Sequence, residues 1–185
     1  MTEEQKNPYR DMGEKDSRLL TGMFRDREST ERAYNSLHER GYSKDDINLI
    51  MSDDTRNKYF KDEVKDTELG TKAMEGAGKG SAIGGTIGAV AGIIAALGTS
   101  LIIPGLGLII AGPIAAGLAG AGAGGLTGGI IGALIGSGIP EERAKLYESG
   151  IKDGRIVMGV RPKNQEDADY FKNDWRDNKG EEIHH

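Results

Sequence analysis

Few residues in this 185-residue chain have the type and spacing that chemistry requires, and each has a simpler structural account. The three histidines are His38, His184 and His185. His38 stands alone in a helix-like run rich in Arg and Glu. The adjacent pair His184-His185 reads as a fraying tail or as the remnant of an appended tag, either of which accounts for it without a metal role. The carboxylate pairs Asp45-Asp46, Asp53-Asp54 and Glu141-Glu142 are sequence neighbours at turns or helix starts. There a carboxylate caps free N–H groups and complements the helix dipole, which needs no acid–base role. Cysteine is absent, so no thiolate, disulfide or sulfur-ligated metal is available. Gly120-x-Gly122-x-x-Gly125 has the letters of a dinucleotide fingerprint, but no strand precedes it. Gly76-Ala77-Gly78-Lys79 suggests a phosphate loop. However, Ala73 stands where the first glycine belongs, and Gly80 follows the lysine where Ser or Thr is needed. No nucleophile, base and oxyanion site assemble. The expectation is a protein that is not an enzyme, with no cofactor, no metal and no small-molecule substrate.

The spacing that does carry meaning belongs to glycine. Gly76, Gly80, Gly84, Gly88 and Gly92 recur every four residues, and so do Gly120, Gly124, Gly128, Gly132 and Gly136. Each series falls on one nearly straight stripe of a helix. A glycine inside a helix costs on the order of 1 kcal/mol relative to alanine, so five per helix need a compensating gain. Close approach of a second backbone supplies one, because a stripe without side chains lets another helix pack at short distance. Ile83, Ile87, Val90, Ile94 and Leu97 lie off the first stripe. Leu118, Leu126, Ile130, Ile131, Leu134 and Ile135 lie off the second. All ten glycines are therefore candidate helix-packing and oligomerisation residues.

The composition around them is sharply divided. Every Lys, Arg, Asp and Glu lies outside Gly80–Pro140, and no aromatic residue occurs between Phe60 and Tyr147. The net charge of −5 thus belongs wholly to the flanks. Two helices of about 25 residues would each be roughly 38 Å long, enough to cross a hydrocarbon core. Lys72 and Lys79 before the pair, and Arg143 and Lys145 after it, fit cytoplasmic termini. The missing aromatic belt and the apolar stretch Gly98–Pro113 between the helices argue against a simple two-span protein. The alternative is a soluble homo-oligomeric ring or filament with the apolar hairpins buried inside. A pore is a further alternative, weakened by the lack of charged or strongly polar residues to face a lumen. The acidic balance offers no nucleic-acid footprint. The expected partners are the chain itself and a lipid bilayer.

The flanks must position this insert. Arg18–Phe24 and Ile47–Ser52 read as strands around a helix from Asp26 to Arg40 that Gly41 stops. After the insert, Pro140 starts a helix and Arg155–Arg161 reads as a strand. Asn164 then caps a helix with Ala168, Phe171 and Trp175 on one face. The expected fold class is α+β: a split ferredoxin-like small domain, β-α-β then α-β-α, interrupted by a long glycine-zipper α-helical hairpin. It is expected in two layers, with helices on one face of a short sheet that lacks one strand. The expected organisation has a disordered polar lead at 1–16, with no signal peptide, and a first half-domain at 17–54. A charged linker at 55–75, of which Thr55–Leu69 reads alternatively as an exposed helix, and the zipper hairpin at 76–139 follow. The second half-domain spans 140–179, and 180–185 is a tail.

The runs ERAYNSLHERGYSKDDINLIMSD and GIPEERAKLYESGIKDGRIVMGVRP resemble the bacterial general-stress and low-temperature-induced proteins with a heat-induced stress protein (YflT-like) domain. Gly41, Tyr42, Asp46 and Ile47 match the pattern of the first half of that family. Gly138, Pro140, Glu141, Tyr147, Glu148, Gly150 and Gly154 match the second. The resemblance covers the flanks and extends to the glycine-rich character of the insert. It implies stress-linked expression and no catalytic activity, and it brings no functional residues of its own. Taken with the zipper, it leads to the expectation of a stress-associated structural protein. This would self-assemble at the bacterial inner membrane with both termini cytoplasmic, or alternatively in the cytoplasm as a soluble assembly.

Overall fold

A computed structural model describes residues 18–60, 101–103, 107–115, 129–136 and 138–185. Strand β1 is Leu20–Phe24, helix α1 is Arg27–Glu39 and strand β2 is Ile47–Ser52. Residues 53–60 are helical. Within the insert, β3 (Leu101–Ile103) and β4 (Leu108–Ala111) are strands and α2 (Gly129–Gly136) is a helix. Helix α3 (Glu141–Lys152), strand β5 (Ile156–Val160), helix α4 (Gln165–Asp177) and strand β6 (Glu181–His184) complete the order.

The protein is α+β, built on a six-stranded sheet in the order β3-β4-β2-β5-β1-β6. Every neighbouring pair is antiparallel. Strand β5 from the second flank lies between β1 and β2 from the first, with Gly159 opposite both Thr21 and Asn48. The two halves are therefore interleaved, and β1 and β2 run parallel without pairing.

Both faces of this sheet are covered. On one, Leu20, Phe24, Ile47, Leu49, Met51, Ile156, Met158 and Val160 pack beneath Ala33 and Leu37 of α1 and Phe171 and Trp175 of α4. On the other, Met23, Ile50, Val157, Leu108 and Ile110 pack beneath Ile130 and Leu134 of α2 and Ala144, Tyr147 and Ile151 of α3. The expectation of helices on one face is thus corrected to two helical layers. The cause is visible in β2 and β5, whose residues Ile47–Met51 and Ile156–Val160 are all buried. A strand that is apolar on both sides needs cover on both sides.

Two further expectations differ from the fold. Residues 180–185, read as a tail, contain β6, which pairs with β1 at the sheet edge. Residues Gly98–Pro113, read as the turn of a helical hairpin, contain β3 and β4, which extend the sheet from β2. Ile109 and Ala111 point to one helical layer, and Leu108 and Ile110 to the other. The insert is thus pinned to the body near its middle. Of the segment read as a charged linker, residues 55–60 are helical, and Phe60 is buried in the α1 layer.

Candidate helix-packing site

Helix α2 carries the described part of the second glycine series. Ile130 and Leu134 turn inward, each at most 5% exposed, while Gly132 and Gly136 lie on the outer side. A Cβ built at either glycine meets nothing within 4 Å. The stripe is therefore bare and unfilled by this chain's described residues. Ile135 beside it is 42% exposed, and Leu146 on α3 is 45% exposed, both high for large apolar side chains. The helix ends at Gly138, whose φ of +90° suits glycine. Gly138 N–H donates to the Ile135 carbonyl at 2.9 Å and Ile139 N–H donates to that of Leu134 at 3.1 Å, closing the helix and turning the chain into α3. Gly76, Gly80, Gly84, Gly88, Gly92, Gly120, Gly124 and Gly128 lie outside the described residues, as do both nucleotide-like glycine motifs.

The polar chemistry of the body is concentrated in three junctions. At the first, the Tyr42 hydroxyl donates to Asp167 Oδ2 at 2.7 Å and accepts the Lys163 backbone N–H at 2.6 Å. Arg40 donates to the other carboxylate oxygen, and Asn164 caps α4 through Asp167 N–H at 2.8 Å. Burial alone would raise the Asp167 carboxyl, but hydrogen bonds from Tyr42 and Arg40 hold it below its ordinary range. Burial and the bond to Asp167 push the Tyr42 hydroxyl up to about 12. At the second junction, buried Asn48 donates to the Gly159 carbonyl at 3.2 Å and accepts Ile114 N–H at 2.8 Å. It thereby ties the insert to the sheet. At the third, the Tyr147 hydroxyl lies 2.7 Å from Thr21 Oγ1 and donates to the Glu182 carbonyl at 2.9 Å.

These groups are saturated by one another and act as joints between elements. Asp46 bonds Ser43 N–H and Oγ, which is the capping role expected of it. Glu141 lies in the first turn of α3. Among the described residues no group of three or more His, Asp and Glu is placed to hold a metal ion. Also among them, no helix is long and apolar enough to cross a membrane. Sequence reasoning missed all three junctions. Asn48 alone was conspicuous, as an amide inside the apolar run Ile47–Met51.

The fold and these sites define an α+β body with two helical layers and an outward-facing glycine stripe that is bare among the described residues. Compared with protein-family models, curated proteins and solved structures, the chain matches none.

Proposed function

We propose that this protein is a non-enzymatic, stress-associated structural protein that self-assembles through its glycine-rich apolar insert. Its ferredoxin-like body remains on the cytoplasmic side of the assembly. The ferredoxin-like reading is supported by the strand order β2-β5-β1-β6, with crossover helices α1 and α4 packed on the same face. The observation that carries self-assembly is the bare outer stripe of α2. Among the described residues nothing lies against Gly132 or Gly136, which continue the spacing of the longer series Gly120–Gly136. Glycines that serve packing within the body would instead have a neighbour against them. The resemblance to the general-stress proteins supports the stress association.

The absence of charge between Gly80 and Pro140 supports assembly at a bilayer. The pairing of β4 with β2 favours a second reading, a soluble homo-oligomer. A segment held in the sheet of a charged body returns to that body midway. Carbonate-resistant pelleting with membranes supports the first, and a large particle in detergent-free buffer supports the second.

The decisive variant is Gly132→Leu with Gly136→Leu. Neither position meets a described residue, so the body is expected to persist with unchanged circular dichroism, and replacing helical glycine adds roughly 0.5–1 kcal/mol of helix stability at each. Chemical crosslinking of wild type should give multimers that the double variant loses. Multimers that persist in the variant would overturn self-assembly through this stripe.

A further inference from the structure

The outer edge of β2 is a fitted seat, and the strand seated on it comes from the insert. Residues Leu49 to Ser52 of β2 face Ala111 to Leu108 of β4 in unbroken antiparallel register. Beyond the ladder, Asp53 N–H donates to the Gly107 carbonyl at 2.7 Å, and buried Asn48 accepts Ile114 N–H at 2.8 Å. Gly112 lies against the Ile47 carbonyl with no room for a side chain. Both strands present apolar residues to both helical layers, so polarity alone would tolerate a slip, and these contacts select one register. Strands β2-β5-β1-β6 meanwhile form a continuous sheet without the hairpin. Its described residues are joined to the rest through residues 61–100 on one side and 116–128 on the other. Thirteen residues reach at most about 45 Å, and a body of about 100 residues has a radius of gyration near 13 Å. Even the shorter connection is therefore long enough to carry the hairpin to a neighbouring body.

We infer that the β3–β4 hairpin is exchanged between copies, so that the β2 edge of one chain seats the hairpin of a second. This rests on the self-assembly reading and deepens it, naming the strand each copy gives and the edge that receives it. Every contact above is the same whether the hairpin is a chain's own or a neighbour's. The choice between them is then set by the effective concentration of each. Assembly through the insert brings neighbouring hairpins within reach of β2 and raises theirs. No charged side chain lies between Gly80 and Pro140, so hairpins gathered from several copies do not repel one another. The β6 edge is unsuited to this role, because Glu181 and Glu182 charge it and its pairing with β1 is irregular.

The chain has no cysteine, so single substitutions report the exchange directly. The Asp53–Gly107 hydrogen bond makes Ser52–Leu108 and Ile50–Ile110 the non-hydrogen-bonded pairs of this ladder, with Cα atoms about 4.5 Å apart, inside disulfide range. Full-length chains carrying either Ile50→Cys or Ile110→Cys, distinguished by a tag on one, are co-expressed and then oxidised. Their mixed disulfide should exceed that of the register-mismatched pair, Ile50→Cys with Leu108→Cys, by at least about tenfold. Ser52→Cys with Leu108→Cys should likewise exceed Ser52→Cys with Ile110→Cys, which decides the matter if a core variant fails to fold. Equal yields from matched and mismatched pairs overturn the exchange. A chain bearing both Ile50→Cys and Ile110→Cys that closes entirely within itself overturns it too. If wild-type multimers persist under chemical crosslinking in either case, self-assembly stands without exchange. Absence of wild-type multimers removes the self-assembly reading, and this inference with it.

Discussion

At the scale of single residues, stability rests on a few buried polar groups that join distant parts of the chain. Tyr42 follows α1, and Asp167 lies 125 positions later in the first turn of α4. Tyr42→Phe removes a donor to a charged acceptor and leaves Lys163 N–H unpaired, which should cost about 1–3 kcal/mol in urea unfolding. The same hydroxyl gives an alkaline signature. Its folded value of about 12 exceeds the ordinary 10.0, so its contribution is complete below pH 10 and disappears as pH rises to 12. Tyr42→Phe should flatten that part of the stability–pH curve. It should not abolish the slope, because burial also raises Tyr34 and Tyr147. An unchanged alkaline slope in the variant would show that the hydroxyl is not held as described. Asn48 and Gly112 form the complementary joint at the insert. Gly112 has φ +95°, and a Cβ there would run into the Ile47 carbonyl oxygen. Only glycine fits where the chain leaves β4 against β2.

At the scale of elements, local signals and outcome agree where one rule acts alone. Asp26 and Asn164 cap α1 and α4 through Ser29 and Asp167 N–H groups, and Gly41 ends α1, as their positions in the sequence suggest. Helices α1, α2 and α3 each close with glycine in the left-handed region, at Gly41, Gly138 and Gly154. Helix α4 closes in the same way, Gly180 N–H donating to the Trp175 carbonyl, but Lys179 occupies the left-handed position. Lys179→Gly should therefore raise the unfolding free energy by about 1 kcal/mol, measured as a higher urea midpoint at constant slope. A lower midpoint would mean that the lysine contributes more than its backbone conformation costs. The β3–β4 hairpin was equally legible in hindsight. Leu101-Ile102-Ile103 and Leu108-Ile109-Ile110 flank Pro104-Gly105-Leu106-Gly107, two isoleucine-rich apolar runs on either side of a Pro-Gly signal. The four-residue glycine periodicity on either side obscures it, because two helices leave the stretch between them to be read as their turn.

At the scale of the whole molecule, β5 is the keystone, since its two edges take β1 and β2. Residues 18–60 alone would leave two strands that do not pair with each other. Residues 138–185 alone would leave β5 and β6 without β1 between them. Each fragment should be largely unfolded by circular dichroism, and mixing them should restore structure, with the single Trp175 reporting burial by a fluorescence blue shift. Independent folding of either fragment would contradict the interleaved sheet.

What the sequence determined by itself was the local content: strands β1, β2 and β5, helices α1, α3 and α4, and the division into charged flanks and a dry insert. These follow from periodicity, capping and composition, which act over a few residues. The tertiary structure alone decided that β5 separates β1 from β2, that the insert supplies an edge hairpin and one helix of a second helical layer, and that the last residues form a strand. Such outcomes depend on which apolar faces meet and which polar groups find partners more than 100 positions away, as Asp167 does in Tyr42. Spacing along the chain does not encode those distances.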